Sequence, residues 1–270
     1  TFFQTTNLTF VSLTNVEFTN CNFSQYASVG VGAIFVVQGT PTVVISNVMI
    51  NGIYFGSGVQ QQIFYVSDVE NGVFSNYSLK ETHITGTGGN SNQILSISLE
   101  EVGEVKLNVS NWTVQRSSFA DTNNAILVIF YGEFEDSYLH LDTIHVSNTK
   151  FLTGAMLVSI QTPQPLSDSI KDQILPFTLT NFNVINSSCV KGHIISLVST
   201  YPMITAVETA RCYVQNATFR NVSLSQGSIF HAEGFLVSVT EVQADHITLT
   251  SAHIFTSSET LSSLFLVNST

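Results

Sequence analysis

Residues 177–198 read FTLTNFNVINSSCVKGHIISLV and combine two segments of different hydrophobic pattern. In the first segment, apolar residues alternate with Thr and Asn, which is the pattern of a half-buried β-strand. The second segment, residues 194–198, is a short apolar run that follows Gly192. The polar sequence Asn186-Ser187-Ser188 lies between them and favours a turn. Neither strand could bury its apolar face alone, so we interpret the stretch as one unit of a repeated structure.

The apolar run recurs eight times, and its first residues are separated by 29, 31, 32, 30, 38, 35 and 35 positions. A period of this length indicates a solenoid, a propeller or another repeat array. The eight copies begin at Ile34, Ile63, Ile94, Ile126, Met156, Ile194, Ile229 and Leu264.

The second position of the run is large and apolar in every copy. In a parallel solenoid, equivalent residues of successive turns lie about 4.8 Å apart and form a column. Because the first two positions of the run are both apolar, we also expect a corner or a second contact surface there. The predicted buried column consists of Phe35, Phe64, Leu95, Leu127, Leu157, Ile195, Phe230 and Phe265.

The other strand of the repeat commonly carries an Asn three residues before an apolar residue. Stacked Asn side chains form hydrogen bonds along the axis of a repeated sheet, so an asparagine ladder is expected. The pairs are Asn15 with Phe18, Asn47 with Ile50, Asn111 with Val114, Asn181 with Val184, and Asn216 with Phe219.

These patterns predict an all-β fold, a single parallel β-helix of about eight rungs with 29–38 residues per rung. A β-sandwich does not repeat one register, a propeller blade of about 40 residues needs four strands, and the leucine-rich pattern is missing. One domain is expected to cover residues 1–270, with loop excursions at 161–176 and 200–210. A short helix is predicted at residues 167–175.

The composition limits the classes of partner. The net charge is −11, from 8 basic and 19 acidic residues, which argues against nucleic acid and against an anionic membrane surface. No apolar run approaches the roughly 20 residues of a membrane helix, so no membrane insertion is expected. The chain lacks an initiator Met and a signal peptide, and we interpret it as a piece of a longer protein.

Short glycine motifs precede several runs. They are Gly32-Ala33-Ile34, Gly154-Ala155-Met156, Gly192-His193-Ile194 and Gly227-Ser228-Ile229, with Phe219-Arg220-Asn221 as a second motif. They resemble the GGA-[ILV] and F-x-x-N repeats of surface proteins such as chlamydial polymorphic membrane proteins. The whole pattern resembles the right-handed parallel β-helix of the pectin-lyase-like superfamily. The resemblance implies a β-helix at a cell surface, and it also raises the alternative of a polysaccharide lyase or hydrolase.

Polysaccharide cleavage requires clustered carboxylates together with Arg or Lys. The sequence has no Asp-Asp pair and only three arginines, Arg116, Arg211 and Arg220. We therefore expect no enzymatic activity, no catalytic residue and no cofactor.

Two groups of residues offer candidate metal ligands. Glu133, Glu135 and Asp136 are the densest acidic group, for which a calcium site and a solvated turn are the alternatives. His140 and Asp142 are expected on one strand face, either as metal ligands or as ordinary strand residues. We expect ordinary surface residues at both places and no metal.

The N-glycosylation sequon Asn-x-Ser/Thr occurs nine times. Inward-facing asparagine ladders are an alternative explanation for some of the sequons. Asn108 and Asn111 are close enough in sequence to compete for modification. We expect about half to carry N-linked glycans. The sequon asparagines are Asn7, Asn22, Asn76, Asn108, Asn111, Asn186, Asn216, Asn221 and Asn268.

Three cysteines, Cys21, Cys189 and Cys212, show no metal-site spacing. A Cys189–Cys212 disulfide and free buried thiols are both compatible with the sequence. Cys21 is then unpaired, or paired outside this chain.

The sequence therefore predicts a non-enzymatic extracellular structural glycoprotein that passes through the secretory pathway. We expect a subunit of a surface filament, stalk or adhesin, with self-association as the main contact and cell-surface glycans or proteins as further partners. The alternative is a carbohydrate-binding or polysaccharide-cleaving β-helix.

Overall fold

The computed structural model describes residues 3–23, 32–55, 61–85, 93–99, 105–120, 125–131, 138–153, 155–162, 176–199, 210–233, 235–257 and 263–267. Within these ranges the fold is all-β, without a helix, and parallel strands stack as a β-solenoid of the right-handed type, as predicted. No helix capable of crossing a membrane is found in these ranges. The predicted helix at 167–175 and most of both excursions lie outside them.

Every strand is parallel to its partners. The strands, in chain order, are β1 (Phe3–Thr6), β2 (Phe10–Thr19), β3 (Gly32–Gln38), β4 (Thr42–Asn51), β5 (Tyr54–Phe55), β6 (Gln61–Ser67), β7 (Asn71–Lys80), β8 (His83–Thr85), β9 (Gln93–Leu99), β10 (Lys106–Gln115), β11 (Ser118–Ala120), β12 (Ala125–Tyr131), β13 (Tyr138–Ser147), β14 (Lys150–Leu152), β15 (Met156–Thr162), β16 (Pro176–Ile185), β17 (Ser188–Val190), β18 (His193–Ser199), β19 (Ala210–Ser225), β20 (Ser228–Glu233), β21 (Phe235–Thr250), β22 (His253–Ser257) and β23 (Ser263–Val267).

The strands form two sheets around one core. The first sheet has nine strands in the order β1-β3-β6-β9-β12-β15-β18-β20-β22. The second sheet has 14 strands. Its long strands stack as one face in the order β2-β4-β7-β10-β13-β16-β19. The short strands β5, β8, β11, β14 and β17 add a further face, because β17 pairs with the last residues of β19. The predicted count of about eight rungs differs slightly from the nine strands that stack in the first sheet.

The long strands of the second sheet share a bend at which one residue has a left-handed backbone, and β19 and β21 contain a second such residue, Asn221 and His246. A positive φ is uncommon outside Gly, but Asn tolerates it better than other residue types, which explains why Asn recurs before the apolar positions. The residues at this bend have φ between 55° and 60° and are Asn15, Asn47, Asn76, Asn111, Thr143, Asn181, Asn216 and Glu241.

The predicted register of the column in the first sheet is confirmed for Phe35, Phe64, Leu95, Leu127, Ile195 and Phe230. Phe64, Leu95, Ile195 and Phe230 are buried as predicted, whereas Phe35 is half-buried. The column contains one further residue on β1, because Phe3 pairs with Phe35. The strand pairing skips the first residue of the run. Ala33 pairs with Gln62 and Phe35 pairs with Phe64, and no pair joins Ile34 to Ile63 between them. Two consecutive side chains are therefore buried, as at Ile63 and Phe64.

Two members of the predicted column are wrong. Val158, not Leu157, pairs with Leu127, because Met156 occupies the place that a small or polar residue takes in other copies. Phe265 lies in β23, which pairs with β21 of the second sheet. Phe255 takes its place opposite Phe230, and the two rings stack 4.8 Å apart.

One hydrophobic cluster extends along the described part of the solenoid. Aromatic rings of neighbouring turns stack within it, with centroids 4.2 Å apart for Tyr77 and Trp112 and 5.1 Å apart for Phe35 and Phe64. Such contacts contribute about 0.5–1.5 kcal/mol each beyond the burial of their area.

A column of buried hydroxyl groups lines the inside of one corner, at Thr82, Ser117, Thr149 and Ser187. Ser117 Oγ accepts the Thr82 N–H at 3.1 Å and donates to the Gln115 carbonyl at 2.9 Å. Ser187 Oγ accepts the Thr149 N–H at 3.2 Å in the same way. The hydroxyls of Ser117, Thr149 and Ser187 thus satisfy backbone groups that have no water available inside the coil, whereas Thr82 Oγ1 has no hydrogen-bond partner among the described residues.

Candidate functional site

The left-handed bends of the long strands carry a row of side-chain amides, which we call the first asparagine ladder (Asn15, Asn47, Asn76, Asn111, Asn181 and Asn216). Nδ2 of Asn47, Asn76, Asn111 and Asn216 donates to the amide Oδ1 of the preceding turn. The distances are 3.2 Å from Asn47 to Asn15, 3.0 Å from Asn76 to Asn47 and 3.2 Å from Asn111 to Asn76. Because one strand per turn places these residues in register, the ladder follows the long axis of the solenoid.

The first asparagine ladder is interrupted at Thr143, which occupies the bend position of its turn, and the carboxylate of Asp142 replaces the missing amide. Asp142 Oδ1 accepts hydrogen bonds from Asn181 Nδ2 at 2.8 Å and Thr180 Oγ1 at 2.5 Å, and Oδ2 accepts one from Thr143 at 3.0 Å. Partial burial alone would raise the pKa of Asp142, but these hydrogen bonds and the nearby His140 lower it overall. Asp142 therefore remains an acceptor, and the ladder resumes from it.

A second asparagine ladder (Asn148, Asn186 and Asn221) marks another corner, where φ lies between 49° and 51°. Asn221 Nδ2 donates to Asn186 Oδ1 at 3.0 Å. A shallow cleft of about 460 Å³ lies along this corner and is lined by Asn148, Thr149, Lys150, Asn186, Ser187, Ser188 and Asn221. This corner cleft offers amide, hydroxyl and ammonium groups to a hydrogen-bonding ligand.

Eight of the nine sequon asparagines are described, and all eight are exposed. Asn76, Asn111 and Asn216 belong to the first ladder, and Asn186 and Asn221 belong to the second. The other three are Asn7, Asn22 and Asn108, whereas Asn268 lies outside the described residues.

The alternative that ladder asparagines face inward is wrong, because Asn47, Asn76 and Asn111 are exposed. A carboxamide has two donor hydrogens and two acceptor lone pairs, and the ladder uses one donor and one acceptor. The remaining groups need water, and an apolar interior would leave them unpaired at a cost of about 1–3 kcal/mol. Exposure is therefore the physically favoured arrangement.

The candidate disulfide is not formed, and Cys189 and Cys212 are buried free thiols. They lie in different columns, since Cys189 pairs with Leu224 and Phe151 whereas Cys212 pairs with Phe177 and Val237. Burial raises the pKa of Cys189 to about 11 and raises that of Cys212 well above its ordinary value. Both are therefore poor nucleophiles at neutral pH.

His140 and Asp142 lie on the outer face of β13, as expected, but both are engaged in hydrogen bonds with residues of β16. His140 Nδ1 forms a hydrogen bond with Thr178 Oγ1 at 2.6 Å, and Asp142 is engaged in the ladder. In the ranges that the structure describes, no three His, Cys, Asp or Glu side chains are grouped for a metal ion. The acidic group Glu133, Glu135 and Asp136 lies outside those ranges.

A histidine pair was not predicted from the sequence. The rings of His193 and His231 stack with centroids 4.3 Å apart. His193 Nδ1 forms a hydrogen bond with Ser228 Oγ at 2.7 Å, and His231 Nδ1 forms one with Thr256 Oγ1 at 3.0 Å. Burial and the neighbouring His231 lower the pKa of His193 to about 4. The repeat spacing alone could not reveal the pair, because the two residues occupy different positions of the run.

Comparison of the chain with protein-family models found no matching family, and comparison with curated proteins found no similar sequence. The structure shows a parallel β-solenoid, and neither comparison assigns the chain to a family.

Proposed function

We propose that this chain is a non-enzymatic, extracellular, N-glycosylated structural protein that serves as a subunit of a surface filament, stalk or adhesin. The observation that carries the proposal is the exposure of every described sequon asparagine, five of them on two ladders along the axis. Glycans attached there would cover corners of a rigid rod and protect it from proteolysis. The resemblance to surface repeats of the pectin-lyase-like superfamily agrees with the same role.

Secretion from a eukaryotic cell line tests this proposal. The intact mass of the secreted protein is measured before and after enzymatic removal of N-glycans, and the native material is imaged by electron microscopy. A mass above that of the bare polypeptide, together with end-to-end or lateral assemblies, is the expected result. Bare, isolated monomers would contradict both parts of the proposal.

A carbohydrate-binding role is the second candidate, and the corner cleft is the observation that favours it. Lys150 and the amides of Asn148 and Asn186 line the cleft, and such groups bind sugar hydroxyls or carboxylates. No carboxylate contributes to its described lining, so binding is favoured over cleavage.

Unglycosylated protein from bacteria distinguishes the two roles, because glycans on Asn186 or Asn221 would fill the same cleft. Neutral and acidic oligosaccharides are titrated against the protein and against a Lys150→Ala variant, with calorimetry as the measurement. Saturable binding that the variant loses supports the second role. Absence of binding at millimolar oligosaccharide removes it.

A further inference from the structure

Two pairs of sequon asparagines are direct neighbours on adjacent turns. Asn111 Nδ2 lies 3.2 Å from Asn76 Oδ1, and Asn221 Nδ2 lies 3.0 Å from Asn186 Oδ1. Adjacent strands of a parallel sheet are about 4.8 Å apart. The two nitrogen atoms that a glycan would modify are therefore held about one strand spacing apart in each pair.

Building on the proposed glycoprotein role, we propose that each pair carries at most one N-linked glycan in the folded protein. Glycosylation joins sugar C1 to Nδ2 of the asparagine, with a lipid-linked oligosaccharyl pyrophosphate as the donor. The C1–O bond of the donor breaks, the lipid pyrophosphate leaves with the bonding electrons, and Nδ2 loses one proton. One Nδ2 hydrogen remains, so a single modified asparagine can still donate to its ladder neighbour.

The corner cannot open to accommodate two glycans in the first pair. Tyr77 and Trp112, which follow Asn76 and Asn111, are each 1% exposed and stack 4.2 Å apart. Trp112 is also fixed by a 3.2 Å hydrogen bond from Nε1 to the Phe74 carbonyl. A carboxamide is flat enough for the strand spacing, whereas a branched oligosaccharide is bulky in every direction.

The second pair is fixed in the same manner. Ser187 and Val222, the residues after Asn186 and Asn221, are buried at 4% and 1% exposure. The backbone N–H of Asn186 also donates to the Arg220 carbonyl at 2.9 Å. By contrast, Asn216 stacks on Asn181 at 2.7 Å, and Asn181 has no sequon, so occupancy of Asn216 is unrestricted by its described ladder neighbour.

The methionine positions provide a direct count of glycans on the first pair. Chemical cleavage after Met49 and Met156 releases residues 50–156, which contain only three sequons, Asn76, Asn108 and Asn111. A Ser110→Ala background removes the Asn108 sequon. The mass of this fragment from secreted protein then reports zero, one or two glycans on Asn76 and Asn111.

The expected result is a fragment with at most one glycan. Adding Ser78→Ala removes the Asn76 sequon but keeps the ladder amide, and the occupancy of Asn111 should rise by the fraction that Asn76 held. Adding Thr218→Ala, which removes the Asn216 sequon, is the matched control and should leave the fragment mass unchanged. Circular dichroism verifies that each secreted variant is folded.

The outcomes separate this proposal from the function on which it rests. Secreted, folded protein whose fragment carries two glycans would overturn the exclusion while leaving the glycoprotein role intact. Where Asn76 carries a glycan in the parent protein, an unchanged Asn111 occupancy in the Ser78→Ala variant would also overturn it. A bare polypeptide mass would overturn the glycoprotein role, and the exclusion, which rests on that role, would fall with it.

Discussion

At the scale of the residue, hydroxyl and amide side chains make the sharp corners of this coil stable. The exposed amides pair with each other across turns, while the buried hydroxyls pair with the backbone. Only the second arrangement is costly to disturb, because a buried N–H has no water to replace a lost partner.

Replacing Ser117 with Ala should lower the free energy of unfolding by about 1–3 kcal/mol, because the Thr82 N–H loses its buried acceptor. Ser118→Ala is the matched control. Ser118 Oγ forms a hydrogen bond with His83 at the surface, and its loss should change stability by no more than about 0.5 kcal/mol. Urea denaturation measures both variants, and equal effects would contradict this assignment of the hydroxyl column.

At the scale of the element, the sequence predicted the parallel coil because a buried column needs a large apolar residue in every turn. It failed where one turn breaks the local pattern. Met156 is apolar at a normally small or polar position, which shifted the predicted register by one residue. Near the C-terminal end, Ile254-Phe255 is followed by Thr and Ser, so the run was not recognised.

The asparagine ladder was partly predictable at the same scale. The recurrence of Asn before apolar positions was visible in the sequence, but its cause is a left-handed backbone at an exposed bend. The histidine pair and the corner cleft depend on how different turns approach each other. No local pattern encodes such contacts.

Phe230→Ala should cost about 3–5 kcal/mol of unfolding free energy, as for other buried aromatic truncations. The ring is 1% exposed and contacts Phe255 on the adjacent strand β22 and Phe219 on β19 of the second sheet. Tyr213→Ala on β19 is the control, since Tyr213 is 40% exposed. A loss as small as that of the control would show that the column is not a main source of stability.

The histidine pair should make the last turns sensitive to acid. Burial lowers the pKa of both His193 and His231 below 6.5, although Glu233 partly offsets the effect on His231. As pH falls below 6.5, the unfolded chain therefore binds protons before the folded chain does. The stability contribution present above pH 6.5 is lost progressively toward pH 4, the folded-state pKa of His193.

Urea midpoints measured between pH 7.5 and pH 5 check this expectation. The unmodified protein should lose stability over this range, and a His193→Gln/His231→Gln variant should lose less. The nearby titratable groups Glu233 and His253 remain in both proteins, so the difference isolates the stacked pair. Identical pH dependence in the two proteins would assign the acid sensitivity to other groups.

At the scale of the whole molecule, the solenoid is a rod of stacked parallel strands. In the described residues, β1 pairs with β3 and β22 pairs with β20 at the two ends of the first sheet. Open edges of parallel sheets promote strand addition. A head-to-tail contact between copies would be heterologous and would build an open filament unless its rotation closed a ring.

Two matched substitutions distinguish end-to-end from lateral assembly. Phe10 in the first turn is 55% exposed, and Met49 on the flank of β4 is 43% exposed. If the proposed filament grows through its ends, Phe10→Lys should shorten or abolish the assemblies, because a lysine would have to be desolvated between copies, whereas Met49→Lys should leave them intact. Particle length in electron micrographs and sedimentation velocity are the measurements, with circular dichroism to verify folding. The reverse pattern would indicate contact along the flank, and monomers in all three proteins would refute polymer formation.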